Sequence, residues 1–250
     1  MAIYPNRTSQ KTNYITYKRL ERALGDFSEI PGHPILKRAL EICSAGLHNL
    51  LLFGPPDSGI DQVFRSLKGI ARTDNEVGQV QHILTAGACP CGNLGIDFKI
   101  CRCSQYDLRR YWKRFGGVDL VRFDMRVPLI PPESPLLLLV KHESMKSIRK
   151  RVNNAMTIQK TRFTGKPYSC NARIPAGVLK DYCRLDDETR ALFTETVRLL
   201  SLSPQACHSI LKITRTIADL HDCLNIGRDH FLEAVYYRRY GDRDIFWNEI

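Results

Sequence analysis

The sequence has no apolar run that approaches the roughly 20 residues required for a membrane-spanning helix. The apolar stretch from Leu136 to Val140 is far too short. The segment 1–18 is polar and lacks the apolar core of a signal peptide. We therefore expect a cytoplasmic protein with no membrane partner.

Histidine pairs with metal-ligand spacing are also missing, since none of the seven histidines stands in a His-x-x-x-His or similar pattern. No serine or cysteine stands beside a base in a pattern typical of nucleophilic catalysis. The sequence contains no internal repeat and no low-complexity tract. We therefore predict neither a histidine-based metal centre nor chemistry of the serine- or cysteine-hydrolase kind.

Positive charge is in clear excess. The 37 lysines and arginines outnumber the 26 aspartates and glutamates, which gives a formal net charge of +11 in 250 residues. This balance favours an acidic partner, with nucleic acid first. Part of the excess lies in residues 141–166, where a helix would place Lys146, Arg149 and Lys150 on one face. Such a face could follow the phosphates of DNA, or it could simply be solvated.

A short apolar run leading into a glycine turn is the most informative motif. Residues 50–53 read Leu-Leu-Leu-Phe, and residues 54–61 read Gly-Pro-Pro-Asp-Ser-Gly-Ile-Asp. The two glycines match the phosphate-binding pattern G-x-x-x-x-G-K-[ST]. Ile60 replaces the lysine that contacts the phosphates, and Asp61 replaces the hydroxyl that binds magnesium. The candidate residues of this degenerate nucleotide site are Gly54, Pro55, Pro56, Gly59 and Asp61.

The charges of this loop disfavour ATP. One cation is lost at position 60, and carboxylates are gained at Asp57 and Asp61. Each unit-charge contact at about 4 Å is worth roughly 1 kcal/mol in water and about 4 kcal/mol at an effective dielectric of about 20. Three such changes cost several kcal/mol even after screening, and each ~1.4 kcal/mol is a tenfold loss of affinity. A magnesium ion on Asp61 would recover part of this cost, so the sequence leaves weak ATP binding open but disfavours normal turnover.

Four of the nine cysteines are clustered: Cys89, Cys91, Cys101 and Cys103. The arrangement Cys-x-Cys-x9-Cys-x-Cys offers four thiolates, which is sufficient for a closed tetrahedral zinc site. In a cytosolic chain such clustering favours a metal over disulfides. Unmetallated cysteines in a loop and a redox-labile pair are the alternatives. Elsewhere, Cys43 and Cys207 lie in helical patterns and are predicted to be small buried side chains.

Periodicity and turn signals predict an α/β part followed by a helical part. We expect strands within 48–53, 81–86 and 123–130, a first helix that ends at Gly46, a short helix around 63–70, and a helix after a capping box of Ser104 and Asp107. Prolines between residues 128 and 135 indicate a boundary. Beyond it, helices are predicted near 141–163, 175–183, 187–200, 204–222 and 228–238. The predicted division is a basic arm at 1–25, a core at 26–131 and a helical domain at 132–250.

Several segments together resemble one family, the YifB/ComM branch of the magnesium-chelatase-like AAA+ ATPases. The most specific are the Cys-Pro-Cys-Gly…Cys-x-Cys block at 89–103 and the Thr-Arg-Thr-Ile-Ala-Asp-Leu block at 214–220. Further matching segments occur in the correct order: Gly32-His33, residues 45–52, Gly54-Pro55-Pro56, Asn171-Ala172 and residues 183–188. The resemblance implies an α/β fold with a shortened AAA+ P-loop core and a C-terminal all-helical lid domain. It also implies ATP with magnesium as cofactor, a hexameric ring, and DNA as the partner in branch migration during competence and recombination.

Departures from the family pattern indicate that ATP hydrolysis is lost. Only residues 62–86 separate the glycine turn from the cysteine block, and they contain no apolar strand ending in the family's acidic pair. Gly87 stands where the family has a sensor asparagine. The lysine and the magnesium-binding hydroxyl are missing as well. The chain is therefore expected to be an internally shortened member with a degenerate nucleotide site.

Two arginines of the family pattern are present. The resemblance implies that Arg122 faces the γ-phosphate of a neighbouring subunit and that Arg215 is the lid arginine facing the nucleotide of its own subunit. An ion pair with Asp124 or Asp119 is the alternative for Arg122. A solvated helix position is the alternative for Arg215.

Three functional interpretations follow. The leading one is a ComM/YifB-like protein without effective ATP hydrolysis that binds DNA, or that joins a ring of its own copies or of an intact paralogue and offers Arg122 in trans. The second is a zinc-bearing nucleic-acid-binding or scaffold protein that reuses the helical part. The third is a remnant without function, because a shortened parallel sheet loses buried area and exposes strand edges.

Overall fold

The structure is a computed structural model that describes residues 13–16, 34–55, 82–94, 99–113, 120, 122–129 and 143–239. Its strands are β1 (Asn13–Thr16), β2 (Leu50–Gly54), β3 (His82–Gly87) and β4 (Met125–Pro128). Its helices are α1 (Pro34–Gly46), α2 (Gln105–Lys113), α3 (Met145–Arg162), α4 (Leu179–Tyr182), α5 (Asp187–Leu199), α6 (Pro204–Leu220) and α7 (Arg228–Arg238), with 3₁₀ turns at Asn171–Arg173 and Ala176–Val178. None of the helices in this part of the chain is long and apolar enough to cross a membrane.

The four strands form one sheet in the order β1-β3-β2-β4. β2 is parallel to both of its neighbours, with Leu52 opposite Thr85 on β3 and opposite Val127 on β4. β1 pairs antiparallel with β3 along the outer edge. Three parallel strands with helices beside them agree with the α/β class expected for a shortened AAA+ core, although helices dominate the described residues.

Successive side chains of β2 enter two different hydrophobic clusters, because neighbouring residues of a strand point to opposite faces. Leu50 and Leu52 lie in the main core with residues of β4 and of helices α1, α3, α6 and α7. Leu51 and Phe53 pack on the other face. Both faces of the parallel strands are therefore covered. The main core contains residues from both sides of the expected boundary near 131, and the boundary itself stays a prediction.

Most predicted elements that lie within the described residues form close to the expected positions. Helix α6 begins with Ser203, whose hydroxyl accepts a hydrogen bond from the Ala206 N–H at 3.2 Å, and with proline at the first helical position. Helix α2 begins with the predicted capping box, since Ser104 and Asp107 exchange side chain to backbone hydrogen bonds of 3.0 and 3.2 Å. Strand β1 was not predicted, and it lies within the segment expected to be a basic arm. The helix predicted around 63–70 lies outside the described residues.

The end of α1 depends on the small size of Gly46. A Cβ at this position would overlap the imidazole of His48 and lie 2.5 Å from the Thr216 hydroxyl. The following residue, Leu47, adopts a left-handed conformation with φ of 56°, and the His48 N–H donates to the Cys43 carbonyl at 3.1 Å. Gly46 ends the helix as predicted, but its role is close packing, while Leu47 makes the left-handed turn.

Candidate metal centre and remnants of a nucleotide site

The carboxyl ends of β2, β3 and β4 meet at one edge of the sheet. Gly54 closes β2, and its carbonyl accepts a hydrogen bond of 3.2 Å from the Ala88 N–H. A Cβ on Gly54 would overlap the Leu129 carbonyl, so the three strand ends are in close contact. This edge is where ligands bind in open α/β sheets. Gly54 and Pro55 are buried there, whereas Pro56, Gly59 and Asp61 lie outside the described residues, so the degenerate nucleotide site stays a prediction.

The four clustered cysteines follow β3 directly. The sulfur atoms of Cys89, Cys91, Cys101 and Cys103 all lie within 4.8 Å of one another. The Cys89–Cys91, Cys91–Cys101 and Cys89–Cys101 sulfur distances are 3.3, 3.6 and 3.8 Å. Four sulfurs bound at about 2.3 Å to one tetrahedral zinc ion lie roughly 3.8 Å apart. The predicted ligand set is thus brought together in a geometry that could hold a metal ion.

The turn that carries the first two cysteines is built by its own sequence. The Gly92 N–H donates to the Cys89 carbonyl at 3.2 Å, and Gly92 adopts φ of 79°, which a glycine accepts without strain. The Asn93 side chain donates to the Ile100 carbonyl at 3.3 Å and so links the two cysteine pairs. Trp112 of α2 donates from its indole to the Ala88 carbonyl at 3.2 Å. The cluster is therefore attached both to the sheet and to α2.

The thiols of this cluster differ in acidity. Burial raises the pKa of the Cys89 thiol to about 11. Burial acts on Cys91 as well, but the Asn93 N–H and the neighbouring thiols outweigh it and lower the pKa of Cys91 to about 7. The Cys91 thiol thus loses its proton more easily than the Cys89 thiol. A bound zinc ion would deprotonate its thiol ligands outright.

A surface cavity of about 450 Å³ opens beside the cluster. Its lining comprises Cys91, Asn93, Lys99, Ile100 and Arg102. Exposed cations continue along the adjoining helix α2, at Arg109, Arg110 and Lys113. The four clustered cysteines are therefore bordered by positive charge.

Arg122 lies at the opposite edge of the sheet from Gly54, because it precedes the amino end of β4. A strand rises about 3.3 Å per residue, so the length of β2 separates the two edges by roughly 15 Å. The Arg122 side chain is exposed, and its carbonyl accepts a hydrogen bond of 2.8 Å from Asn49. The alternative ion pair with Asp124 is not formed among the described residues, since Asp124 is buried and accepts a bond of 2.7 Å from Ser209. Asp119 lies outside the described residues.

Arg215 is buried, with 4% of its surface exposed, so the alternative of a solvated helix position is wrong. Its guanidinium donates to Asp219 at 3.1 Å and to the carbonyls of Cys223 and Leu224 at 2.6 and 2.8 Å. These carbonyls follow the carboxyl end of α6, where cations are favourable. In this conformation the Arg215 side chain caps the carboxyl end of α6. The lid-sensor role stays a prediction.

A buried polar network that the sequence did not reveal surrounds Asp219. Arg162 of α3 donates two hydrogen bonds to this carboxylate, at 2.7 and 2.5 Å. Asn171 donates to Asp219 at 2.8 Å and to the Thr216 hydroxyl at 3.0 Å. Asn171 and Asp219 both lie in segments that resemble the family, but nothing local in the sequence indicates that they touch.

The basic face predicted near 141–166 exists on α3. Lys146, Arg149 and Lys150 are exposed, whereas Val152 is buried in the main core. Arg151, between these faces, pairs with the buried carboxylate of Glu41 at 2.6 Å. Whether the exposed face contacts phosphates stays a prediction.

The remaining cysteine predictions have a simple outcome. Cys43 is buried in the main core, as predicted. Cys207 is only half-buried, although it packs against the same core. All nine cysteines are free thiols.

Two family models together match most of the sequence. The model described as magnesium chelatase, subunit ChlI, matches residues 26–77 and 70–135. The model described as magnesium chelatase, subunit ChlI C-terminal, matches residues 142–238. The chain therefore belongs to the magnesium-chelatase-like family, which confirms the resemblance.

Curated relatives agree with this assignment. The chain is 35% identical over 139 residues to the uncharacterized protein YifB of Salmonella typhimurium and 33% identical to YifB of Escherichia coli. It is 34% identical to the competence protein ComM of Haemophilus influenzae. Each match covers 55% of this chain but only 26% or 27% of the relative. The matched stretch thus spans about a quarter of the length of these relatives.

Proposed function

We propose that this chain is a ComM/YifB-like protein that acts with DNA but has no effective ATP hydrolysis. The observation that carries the proposal is the chemistry of the glycine turn after β2. The strand and its Gly54 are retained at the ligand-binding edge, while Ile60 and Asp61 replace the lysine and the hydroxyl. A site with this loop would repel the phosphates and would lack their main cation.

We further propose that the chain takes part in a ring, either of its own copies or with an intact paralogue. The position of Arg122 supports this arrangement. The side chain is exposed and lies at the edge of the sheet opposite to Gly54, so it cannot reach a nucleotide held by its own subunit. A guanidinium in this position would neutralise charge on the γ-phosphate of a neighbour.

The second candidate function is that of a zinc-bearing nucleic-acid-binding or scaffold protein. The four converging thiols support it, and so does the positive charge next to them. A zinc ion at this site would have a structural role, because all four ligands come from the protein and no coordination position stays open. The cytoplasm is the compartment that we propose, since thiols stay reduced there.

Calorimetric titration with ATP and magnesium tests the leading proposal. We expect no binding by the natural chain up to millimolar ATP. The matched control is the double variant Ile60→Lys, Asp61→Thr, which restores the family pattern and should recover affinity. Binding and hydrolysis by the natural chain would contradict the proposal. A chain that aggregates when zinc-loaded would instead favour the interpretation as a remnant.

Arg122 is tested by mixing the chain with an intact family member. We expect the two proteins to co-purify as an oligomer. ATP hydrolysis by the intact subunits should be slower when the added chain carries the substitution Arg122→Ala. Arg190→Ala is the control, because Arg190 is also an exposed arginine, which pairs with the exposed Asp187 at 2.8 Å and donates to the Leu185 carbonyl at 3.0 Å. Equal behaviour of the two variants would contradict the role of Arg122.

A further inference from the structure

The surface formed by residues 99–106, which include two of the clustered cysteines, combines cations with exposed apolar side chains. Ile100 is 78% exposed and Tyr106 is 71% exposed. Between and beside them, Lys99 and Arg102 are exposed and line the cavity of about 450 Å³. Single exposed apolar side chains are common on protein surfaces, so it is their position among cations that points to a partner with both apolar and anionic groups.

The charge of this surface defines the partner as a polyanion. Residues 99–113 contain five lysines and arginines, all exposed: Lys99, Arg102, Arg109, Arg110 and Lys113. Asp107 is the single acidic residue of this segment, and its carboxylate already accepts hydrogen bonds from Ser104. Five cations within fifteen residues suit a phosphate backbone better than an isolated anion.

The exposed apolar side chains favour single-stranded over double-stranded nucleic acid as the partner. A tyrosine ring can stack on a base only where the base is unpaired and accessible, as in a single strand. A duplex presents its phosphates but hides the faces of its bases. The cavity also contains an amide, from Asn93, which could meet polar edges of a base or sugar.

We propose that this surface is a binding site for single-stranded nucleic acid. Lys99 and Arg102 contact successive phosphates, the cavity between them holds a nucleotide, and Tyr106 stacks on a neighbouring base. The inference rests on the second candidate function, since the cysteine cluster holds the segment 99–102 in place. It goes further by locating the site and by naming the form of nucleic acid that it takes.

The test measures fluorescence anisotropy of a labelled oligothymidine with zinc-loaded protein at several salt concentrations. Replacing Tyr106→Ala should weaken binding roughly 5- to 150-fold, the range found for loss of one stacked base, without changing the salt dependence. Leu224→Ala is the matched control, because Leu224 is 88% exposed and lies outside this surface. An unchanged affinity for Tyr106→Ala would overturn the stacking role.

A second pair of variants tests the phosphates. The double variant Lys99→Ala, Arg102→Ala should reduce the slope of log affinity against log salt by about 1.4, since each lost contact with a single strand contributes about 0.7. The control Lys146→Ala, Arg149→Ala removes the same charge from the basic face of α3. Equal losses for both double variants, or preference for a duplex competitor, would overturn the proposed site.

Zinc content, measured on every sample, separates this inference from the function on which it rests. Oligonucleotide binding with the expected variant effects but without zinc would contradict the metal centre alone. Zinc at one ion per chain without oligonucleotide binding would contradict the nucleic-acid site alone.

Discussion

The imidazole Nε2 of His48 lies 2.8 Å from the hydroxyl oxygen of Thr216, and both side chains are fully buried. This contact joins the segment before β2 to the carboxyl-terminal half of α6. On its other side, His48 Nδ1 lies 3.7 Å from the carboxylate of Asp124, just before β4. The polar contacts around Asp219 therefore continue through Thr216 and His48 to the amino end of the sheet.

Gly46 makes room for the contact between His48 and Thr216, so we expect Gly46→Ala to destabilise the protein. The added methyl group would overlap both side chains, and overpacking of this kind costs about 1–3 kcal/mol. Urea denaturation measures the loss. Gly177→Ala is the control, because a Cβ there meets nothing within 4 Å, and its effect should stay within about 0.5 kcal/mol. Similar losses in both variants would contradict this account.

Asp219 is the acceptor for two arginines, so Asp219→Ala should be severely destabilising. Arg162 and Arg215 would both lose their carboxylate, and Arg215 is almost fully buried. Breaking a buried ion pair by removing one partner costs about 3–5 kcal/mol. Denaturation of Asp187→Ala provides the contrast, since the ion pair of Asp187 with Arg190 is exposed and worth about 1 kcal/mol at most. A loss for Asp219→Ala as small as that of the control would refute the role of the network.

The elements that could be predicted from the sequence are those with local signals. Helix α6 has a serine cap and a proline at its start, and α2 has a complete capping box. The convergence of the four cysteines could also be predicted, because they lie within fifteen residues of one another. Such features depend on residues that are close together in the sequence.

The features that could not be predicted depend on contacts between distant parts of the chain. Strand β1 pairs with β3, and nothing in four residues specifies a partner so far away. The burial of Arg215 depends on carbonyls in the turn after α6, which only the folded chain presents. The exposure of Ile100 and Tyr106 was not visible in the sequence either, because an apolar residue by itself suggests a buried position.

The ion pair of Glu143 with Arg151 predicts a modest dependence of stability on acid. Hydrogen bonds from Arg151 and Ser147 lower the pKa of Glu143 to about 2, below the value of about 4.3 of an unfolded chain. Its contribution is therefore present above about pH 4.3 and is lost as the pH falls towards 2. Because the two side chains are a third to a half exposed to solvent, we expect Glu143→Gln to lose under about 1 kcal/mol at neutral pH.

Urea denaturation of Glu143→Gln and the natural chain across this pH range is the measurement. The difference between them should shrink as the pH falls through this range and vanish only below pH 2. Glu188→Gln is the control, because Glu188 lies 3.7 Å from Arg228 in a more exposed pair and should differ little at any pH. A stability difference for Glu143→Gln that increases as the pH falls would contradict the lowered pKa of Glu143.

Zinc binding is the prediction that bears most directly on the candidate site. We expect one ion per chain, and we expect Cys91→Ser or Cys101→Ser to abolish binding, because a tetrahedral site that loses one thiolate has only three protein ligands. Elemental analysis gives the stoichiometry. Cys223→Ser, a half-buried cysteine outside the cluster, should keep the ion.

Chelation should then loosen the segment that the ion holds. The cluster connects the end of β3 to α2, whose Trp112 bonds to the Ala88 carbonyl and packs against Phe53. Loss of the ion would therefore expose the indole, and its fluorescence emission should shift to the red. The residues of α6 in the main core should keep their protection from hydrogen exchange. Zinc retained by both cluster variants, or fluorescence unchanged after complete chelation, would show that the four cysteines do not form a structural metal site.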